Sequence, residues 1–197
     1  MGEELALHPL SSASFADSLS HLQGALIGFV CGLVGDAEQA RDVVQDAFVD
    51  AWRANQRGVP PFVEGADEND IRRWLFQAAY HRTISVLRRR RVIAWESLDL
   101  LEPREPDGLY EPAPFEDLVA EGELLREVLG SLGPKDSACL LLNVVQGFTA
   151  QEIAHMVNIE PEAAKKRVSR AKQRLRNAYF AQQTAASGTS AKERPLP

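Results

Sequence analysis

Residues 96–117 hold Pro103, Pro106, Pro112 and Pro114 together with Gly108 and a run of acids, and this composition divides the chain. Proline removes a backbone donor and fixes φ, and a segment so poor in apolar residues cannot bury enough surface to offset the entropy of ordering it. The segment therefore reads as an extended, flexible acidic linker. On either side, apolar residues recur at helical spacing, over residues 15–33, 37–52 and 70–91 before it and 115–132, 135–145, 149–157 and 161–180 after it. No useful stretch alternates apolar and polar residues with the period of two that a strand needs. The expected fold is all-α: two small helical domains, residues 15–95 and 118–180, joined by the linker. Residues 1–14 read as a loose lead-in. The small, polar residues 181–197 read as a disordered tail.

With 45% hydrophobic residues in 197, the chain has enough apolar content for two packed domains. Cys31 and Cys139 lie in apolar runs and read as buried free thiols of a reducing compartment. The N-terminus shows no basic-then-apolar leader, and residues 25–34 fall short of the roughly 20 needed to span a bilayer. A cytoplasmic protein without membrane insertion is expected. His8, His21, His81 and His155 show no metal-ligand spacing, and neither a phosphate loop nor a nucleophile elbow is present. The expectation is a protein with no catalytic residues, no metal and no cofactor, and thus not an enzyme.

The formal net charge of −6 conceals blocks of opposite sign. Residues 72–91 contain seven arginines and no acid; residues 160–176 contain seven Lys or Arg against two Glu. Residues 92–121 carry nine acids against Arg104 alone, and residues 15–70 carry ten acids against three arginines. Blocks in this order imply several dedicated surfaces, two of them suited to a polyanion.

The later basic block belongs to a helix-turn-helix. Thr149 followed by Glu152 is a capping box, Asn158 stands where a tight turn needs a left-handed residue, and Pro161 suits the first turn of the next helix. Ala164, Val168, Ala171 and Leu175 form one buried stripe at spacings of four, three and four. Glu162, Ala163, Lys165, Lys166, Arg167, Ser169 and Arg170 are left outward, placed to meet phosphates and base edges of duplex DNA. In the first domain, Asp36 reads as a helix N-cap, and Asp42, Asp46 and Asp50 recur every four residues. Like charges so placed cost an isolated helix about 0.2–0.5 kcal/mol per pair, which makes sense if a basic partner docks there. Val43, Val44, Ala47, Phe48, Ala51 and Trp52 are expected to face the core. Gly24, Gly28 and Gly32 recur every four residues and permit close backbone approach, for core packing or as a docking face for a regulatory partner.

Asp42, Gln45, Asp46 and Phe48 reproduce the D-x-x-Q-D/E-x-F pattern of region 2.2 in the sigma-70 family of RNA polymerase initiation factors. Residues 71–91 resemble regions 2.3 and 2.4 of its small extracytoplasmic-function (ECF) group, with the Trp74-Leu75 pair and the arginine run. Residues 132–134 and 149–176 resemble region 4.2 and its lead-in, so the resemblance covers residues 15–176 in order. It implies a factor that binds core RNA polymerase, at the beta-prime clamp helices and the beta flap, and directs it to promoter DNA, with an anti-sigma factor as a further partner. Asp42, Gln45, Asp46, Phe48 and Asp50 would then bind polymerase. Arg72, Arg73, Arg82, Arg88, Arg89, Arg90 and Arg91 would contact phosphates of the melted minus-ten strand, and Trp74, Phe76, Tyr80 and His81 would stack on its bases. For Trp74 a place in the core is an equal alternative. The basic face of the 161–180 helix would read the minus-thirty-five element, and the acidic linker would enter the channel that later carries RNA. The loop at residues 58–70 departs from the family pattern in length and acidity, residues 15–33 lack the arginines usual in the first region, and Glu160 replaces a better N-cap. The alternatives are a helix-turn-helix regulator that never joins polymerase, which leaves the acidic row unexplained, and a mimic that binds only a sigma regulator.

Overall fold

The computed structural model describes residues 8–96, 125 and 128–190 of the chain. Among the described residues the helices with defined bounds are α1 (Ser12–Val34), α2 (Ala37–Gln56), α3 (Glu68–Glu96), α4 (Pro134–Val144), α5 (Ala150–Val157) and α6 (Pro161–Ser190). Local chemistry sets their ends. Ser11 caps α1 by accepting the Ser14 N–H, and Gly35, at φ 74°, closes it with its N–H on the Cys31 carbonyl. Asp36 caps α2 as its sequence position predicts, accepting from Gln39 N–H at 2.9 Å. Pro134 opens α4, where its missing N–H has no intrahelical partner to lose.

Helices α1, α2 and α3 pack against one another around Leu26, Phe29, Val30, Val43, Val44, Ala47, Leu75, Phe76 and Ala79, all buried. The second lobe encloses Leu140, Leu142, Ile153, Met156, Val157, Ala164, Val168 and Ala171. Three residues of the expected α6 stripe are thus buried, and Leu175 is partly so. The two lobes do not stand apart. Helix α3 packs on α5 and α1 on α4, and the hydrophobic core is continuous across both lobes. Phe76 lies edge-on to Phe29 of its own lobe and to Phe148 of the other, each with ring centroids 5.4 Å apart.

Several expectations need correction. Trp52 touches Phe15 edge-on at 5.6 Å but stays 44% exposed, because it lies at the rim of the α2 face. Of the three spaced glycines only Gly32 meets a neighbour: a Cβ there would come within 2.8 Å of Leu141 Cδ1, whereas Gly24 and Gly28 open onto free space. The lead-in is not loose throughout, since α1 starts at Ser12 and residues 8–10 are tied to the loop after α2. Helix α6 continues through the first part of the expected tail to Ser190, a stretch with no proline until Pro195. The linker from residue 97 onward and residues 191–197 lie outside the described residues. Helix α1 is long and apolar enough, by length and composition alone, to cross a membrane; here Leu22, Leu26, Phe29 and Val30 face the protein's own core.

Because Phe76 belongs to both lobes, Phe76→Ala should lower stability by about 3–5 kcal/mol, the usual range for truncating a buried Phe. Chemical denaturation followed by circular dichroism measures this; a loss below about 1 kcal/mol would mean that the ring does not join the lobes.

Candidate polymerase and nucleic-acid interfaces

On α2 the residues Asp42, Gln45, Asp46, Val49, Trp52 and Arg53 are all exposed and follow one helical stripe. Phe48 and Asp50 are half-buried beside it. The repulsion expected along the acidic row is relieved from α3: Arg82 donates from Nε to Asp50 Oδ2 at 2.7 Å and from Nη1 to Asp46 Oδ2 at 2.9 Å. Arg53 adds a longer contact to Asp50, 3.8 Å. Asp42 has no ion-pair partner among the described residues. The row is therefore held rigid at one end and open at the other. Arg82, assigned by sequence to a DNA phosphate, is engaged in bracing the acidic stripe. No pattern within α2 could reveal this, since it depends on the register between two helices.

The aromatic residues of α3 divide by burial. Phe76 and Tyr80 are core residues, 0% and 2% exposed, so base stacking by them is ruled out in this fold. Burial also pushes the Tyr80 hydroxyl above its ordinary pKa of 10.0 and the neighbouring Cys139 thiol up to about 11. That thiol is consequently a poor nucleophile at neutral pH. Trp74 is half-buried and meets Phe62 edge-on at 4.9 Å, so part of the indole packs on the core and part stays accessible. His81 is exposed beside Tyr80. Arg88, Arg89 and Arg90 are exposed, with Arg90 reaching Asp36 at 4.0 Å; the side chain of Arg91 lies outside the described residues.

Arg72 and Arg73 face the second lobe. The Arg72 guanidinium lies 4.1 Å from the Phe148 ring centroid, donates to the Gln146 carbonyl, and thereby combines a cation–π contact with a hydrogen bond. Arg73 pairs with Asp70 on its own helix and reaches Glu152 Oε1 at 3.4 Å. Beside this contact an open groove of about 560 Å³ runs between α3 and α5, lined by Arg73, Gln77, Thr149, Glu152, His155 and Pro161 among others.

The helix-turn-helix has the local chemistry its sequence predicts. The Thr149 side chain accepts from Glu152 N–H at 3.3 Å while Glu152 Oε2 accepts from Thr149 N–H at 2.8 Å. Asn158 adopts φ 53° and ψ 64°, turning the chain from α5 into α6. Glu162, Lys165, Lys166, Ser169 and Arg170 are exposed on α6, with Lys165 paired to Glu162 at 2.9 Å; Ala163 is half-buried. Arg167 differs from its neighbours, being half-buried and ion-paired to Asp136 at the start of α4.

A family model described as Sigma-70, region 4 matches residues 122–175, which contain the helix-turn-helix. The RNA polymerase sigma factor CnrH of Cupriavidus metallidurans is 30% identical over 140 residues, covering 68% of this chain and 70% of CnrH. The chain belongs to the sigma-70 family, in its ECF group. The ECF sigma factor SigE of Mycolicibacterium smegmatis is 27% identical over 167 residues, 81% of this chain and 58% of SigE. Two solved structures share the fold. The sigma factor RpoE in complex with the anti-sigma factor NepR, from Bartonella quintana, superposes with a TM-score of 0.64 at 22% identity over 85% of this chain and 97% of that one. CnrH in complex with the cytosolic domain of CnrY gives 0.59 at 19% identity over 87% and 90%. As a sigma factor the protein binds RNA polymerase and confers promoter specificity.

The Thr149 hydrogen bonds, with Arg73 and Arg72 nearby, hold the Glu152 carboxyl below its ordinary 4.5. A depressed carboxylate contributes stability that is full above the unfolded-state pKa and is lost as pH falls through the folded one. Stability should therefore decline as pH drops from about 4.5 downward, and Glu152→Gln should flatten that decline. Urea titrations at pH 7, 5 and 3 on both proteins check it; parallel acid limbs would remove Glu152 as a contributor.

Proposed function

We propose that the exposed stripe of α2 is the surface that docks on the polymerase clamp helices and that the basic face of α6 reads the upstream promoter element. The observation that carries the first assignment is the stripe itself. Asp42, Gln45 and Asp46 continue into Val49 and Trp52, which are 41% and 44% exposed, so charge adjoins apolar area as a protein interface requires. Arg82 pre-orders Asp46 and Asp50, which reduces the entropy lost when a basic partner binds. For duplex reading, Lys165, Lys166, Ser169 and Arg170 are the exposed groups of α6, and Glu162 tempers Lys165.

For the melted minus-ten strand, the cations of α3 without an ion-pair partner among the described residues are Arg88 and Arg89, with His81 nearby as a stacking surface. Arg72 and Arg73 can join them only after the second lobe withdraws, because Phe148, Gln146 and Glu152 occupy them in the closed arrangement. Polymerase docking, which in this reading spreads the two lobes over separate promoter elements, would release both arginines. The beta flap is the proposed polymerase contact of the second lobe. An anti-sigma partner is proposed as well, supported by the fold shared with two sigma factors solved in such complexes.

Reconstitution with core polymerase tests the first assignment. An Asp42→Ala/Asp46→Ala variant should bind core at least about tenfold more weakly, with unchanged thermal stability, since Asp50 still holds Arg82. Full binding by the double variant would exclude the stripe. On α6, Lys166→Ala should weaken duplex binding and lower its salt slope by about one unit. Arg167→Ala should act instead through stability, by freeing the half-buried Asp136; a salt-slope change of the same size in both variants would show Arg167 to be a phosphate contact.

A further inference from the structure

Arg72 and Arg73 are neighbours in the second turn of α3, yet the second lobe engages them by different chemistry. The Arg72 guanidinium has its Cζ 4.1 Å from the Phe148 ring centroid, the way an arginine lies over the face of a base. Nη2 of the same group donates to the Gln146 carbonyl and reaches Gln146 Oε1 at 3.4 Å, acceptors of the kind a base edge presents. Arg73 meets an anion instead: Nη1 reaches Glu152 Oε1 at 3.4 Å, where a strand would offer a phosphate oxygen. A ring face, carbonyl oxygens beside it and a negative charge next to them are what one nucleotide would bring. Here all of them come from residues 146–152.

That segment is shaped by its own lobe. Gly147, at φ 72°, makes the turn that brings Phe148 back. The Phe148 N–H donates to the Leu142 carbonyl at 3.0 Å, and its own carbonyl accepts from Asn143 Nδ2 at 2.8 Å. The ring is therefore held from α4, independently of α3. Arg88 and Arg89, further along α3, have no ion pair with the second lobe among the described residues. Because the occupant belongs to the same chain, it competes at the high effective concentration of a tethered group, millimolar for a short flexible tether. A free strand at lower concentration finds the two arginines taken.

We propose that residues 146–152 act as a built-in nucleotide mimic, which occupies Arg72 and Arg73 and keeps the free factor from binding single-stranded DNA until polymerase parts the lobes. The inference rests on the reading that both arginines hold the melted strand.

The test compares the free full chain with reconstituted holoenzyme, on a single-stranded DNA that the wild-type holoenzyme enriches from a random pool. Glu152→Gln removes the anion and keeps the cap, since Gln also serves at that position of a capping box. Phe148→Leu removes the ring face and keeps apolar bulk. In the free chain, Glu152→Gln should bind the strand about threefold more tightly, as expected for a partly exposed ion pair. The double variant should gain about tenfold, the equivalent of roughly one stacked base, while holoenzyme affinity stays at wild-type level. Adding Arg72→Ala/Arg73→Ala should abolish the gain. If circular dichroism shows that Phe148→Leu unfolds the lobe, Glu152→Gln alone decides. Unchanged strand affinity of the free variants would overturn the mimic, as would a gain that survives the loss of both arginines. Wild-type strand affinity of the Arg72→Ala/Arg73→Ala holoenzyme would instead remove the reading beneath it, as would a wild-type holoenzyme that enriches no strand.

Discussion

The row of rings from Phe29 through Phe76 to Phe148, closed by the Arg72 guanidinium, is the contact on which the arrangement of the protein depends. Each ring is buried and each meets the next edge to face, the geometry in which aromatic quadrupoles attract. Phe76 lies in the first half of α3, so that one helix serves as a wall for both lobes. Its Leu75, Phe76 and Ala79 complete the first core, and Arg72, one turn before Phe76, turns a cation onto the partner lobe without leaving it unpaired. Beside this row, the two helical units also meet through Leu141 and Leu129 against Gly32 and through the polar contacts around Glu152.

Much of the fold was legible because it rests on short-range rules. The Asp36 cap, the Thr149–Glu152 box, the left-handed Asn158 and the α6 stripe are each fixed by residues within one or two turns, and each is found where the pattern places it. What the sequence could not show was pairing between elements. Seven arginines without an acid over residues 72–91 look like one nucleic-acid surface. In three dimensions they separate: Arg82 braces α2, Arg72 and Arg73 hold the second lobe, and Arg88 and Arg89 stay exposed. Apart from Asp70, which pairs with Arg73 within α3, the acids that claim them lie 32 to 79 residues away in sequence. The same holds for Arg167, whose partner Asp136 stands on α4. Composition counts charges; only the register of packed helices decides which of them remain free.

Aromatic residues follow a related rule. Trp74, Phe76 and Tyr80 fall within a basic helix, which makes them attractive as base platforms, but α3 has to bury a face on each lobe and uses these rings to do so. Trp52 shows the converse. Its position fits the apolar face of α2, yet α2 is covered only as far as Phe15 reaches, and the indole is left at the edge next to Val49. A helix face predicted as buried is buried only over the width of what packs on it.

The Glu152 carboxylate divides its work between two oxygens. Oε2 closes the cap with Thr149 inside α5, and Oε1 reaches across to Arg73 of α3. The bond that would have to break for the lobes to part is therefore carried by a different atom from the bond that caps the helix-turn-helix. Separation removes one partner of a carboxylate that retains its others, so the helix-turn-helix can be detached from α3 as an intact part, its first helix still capped at the moment it is freed.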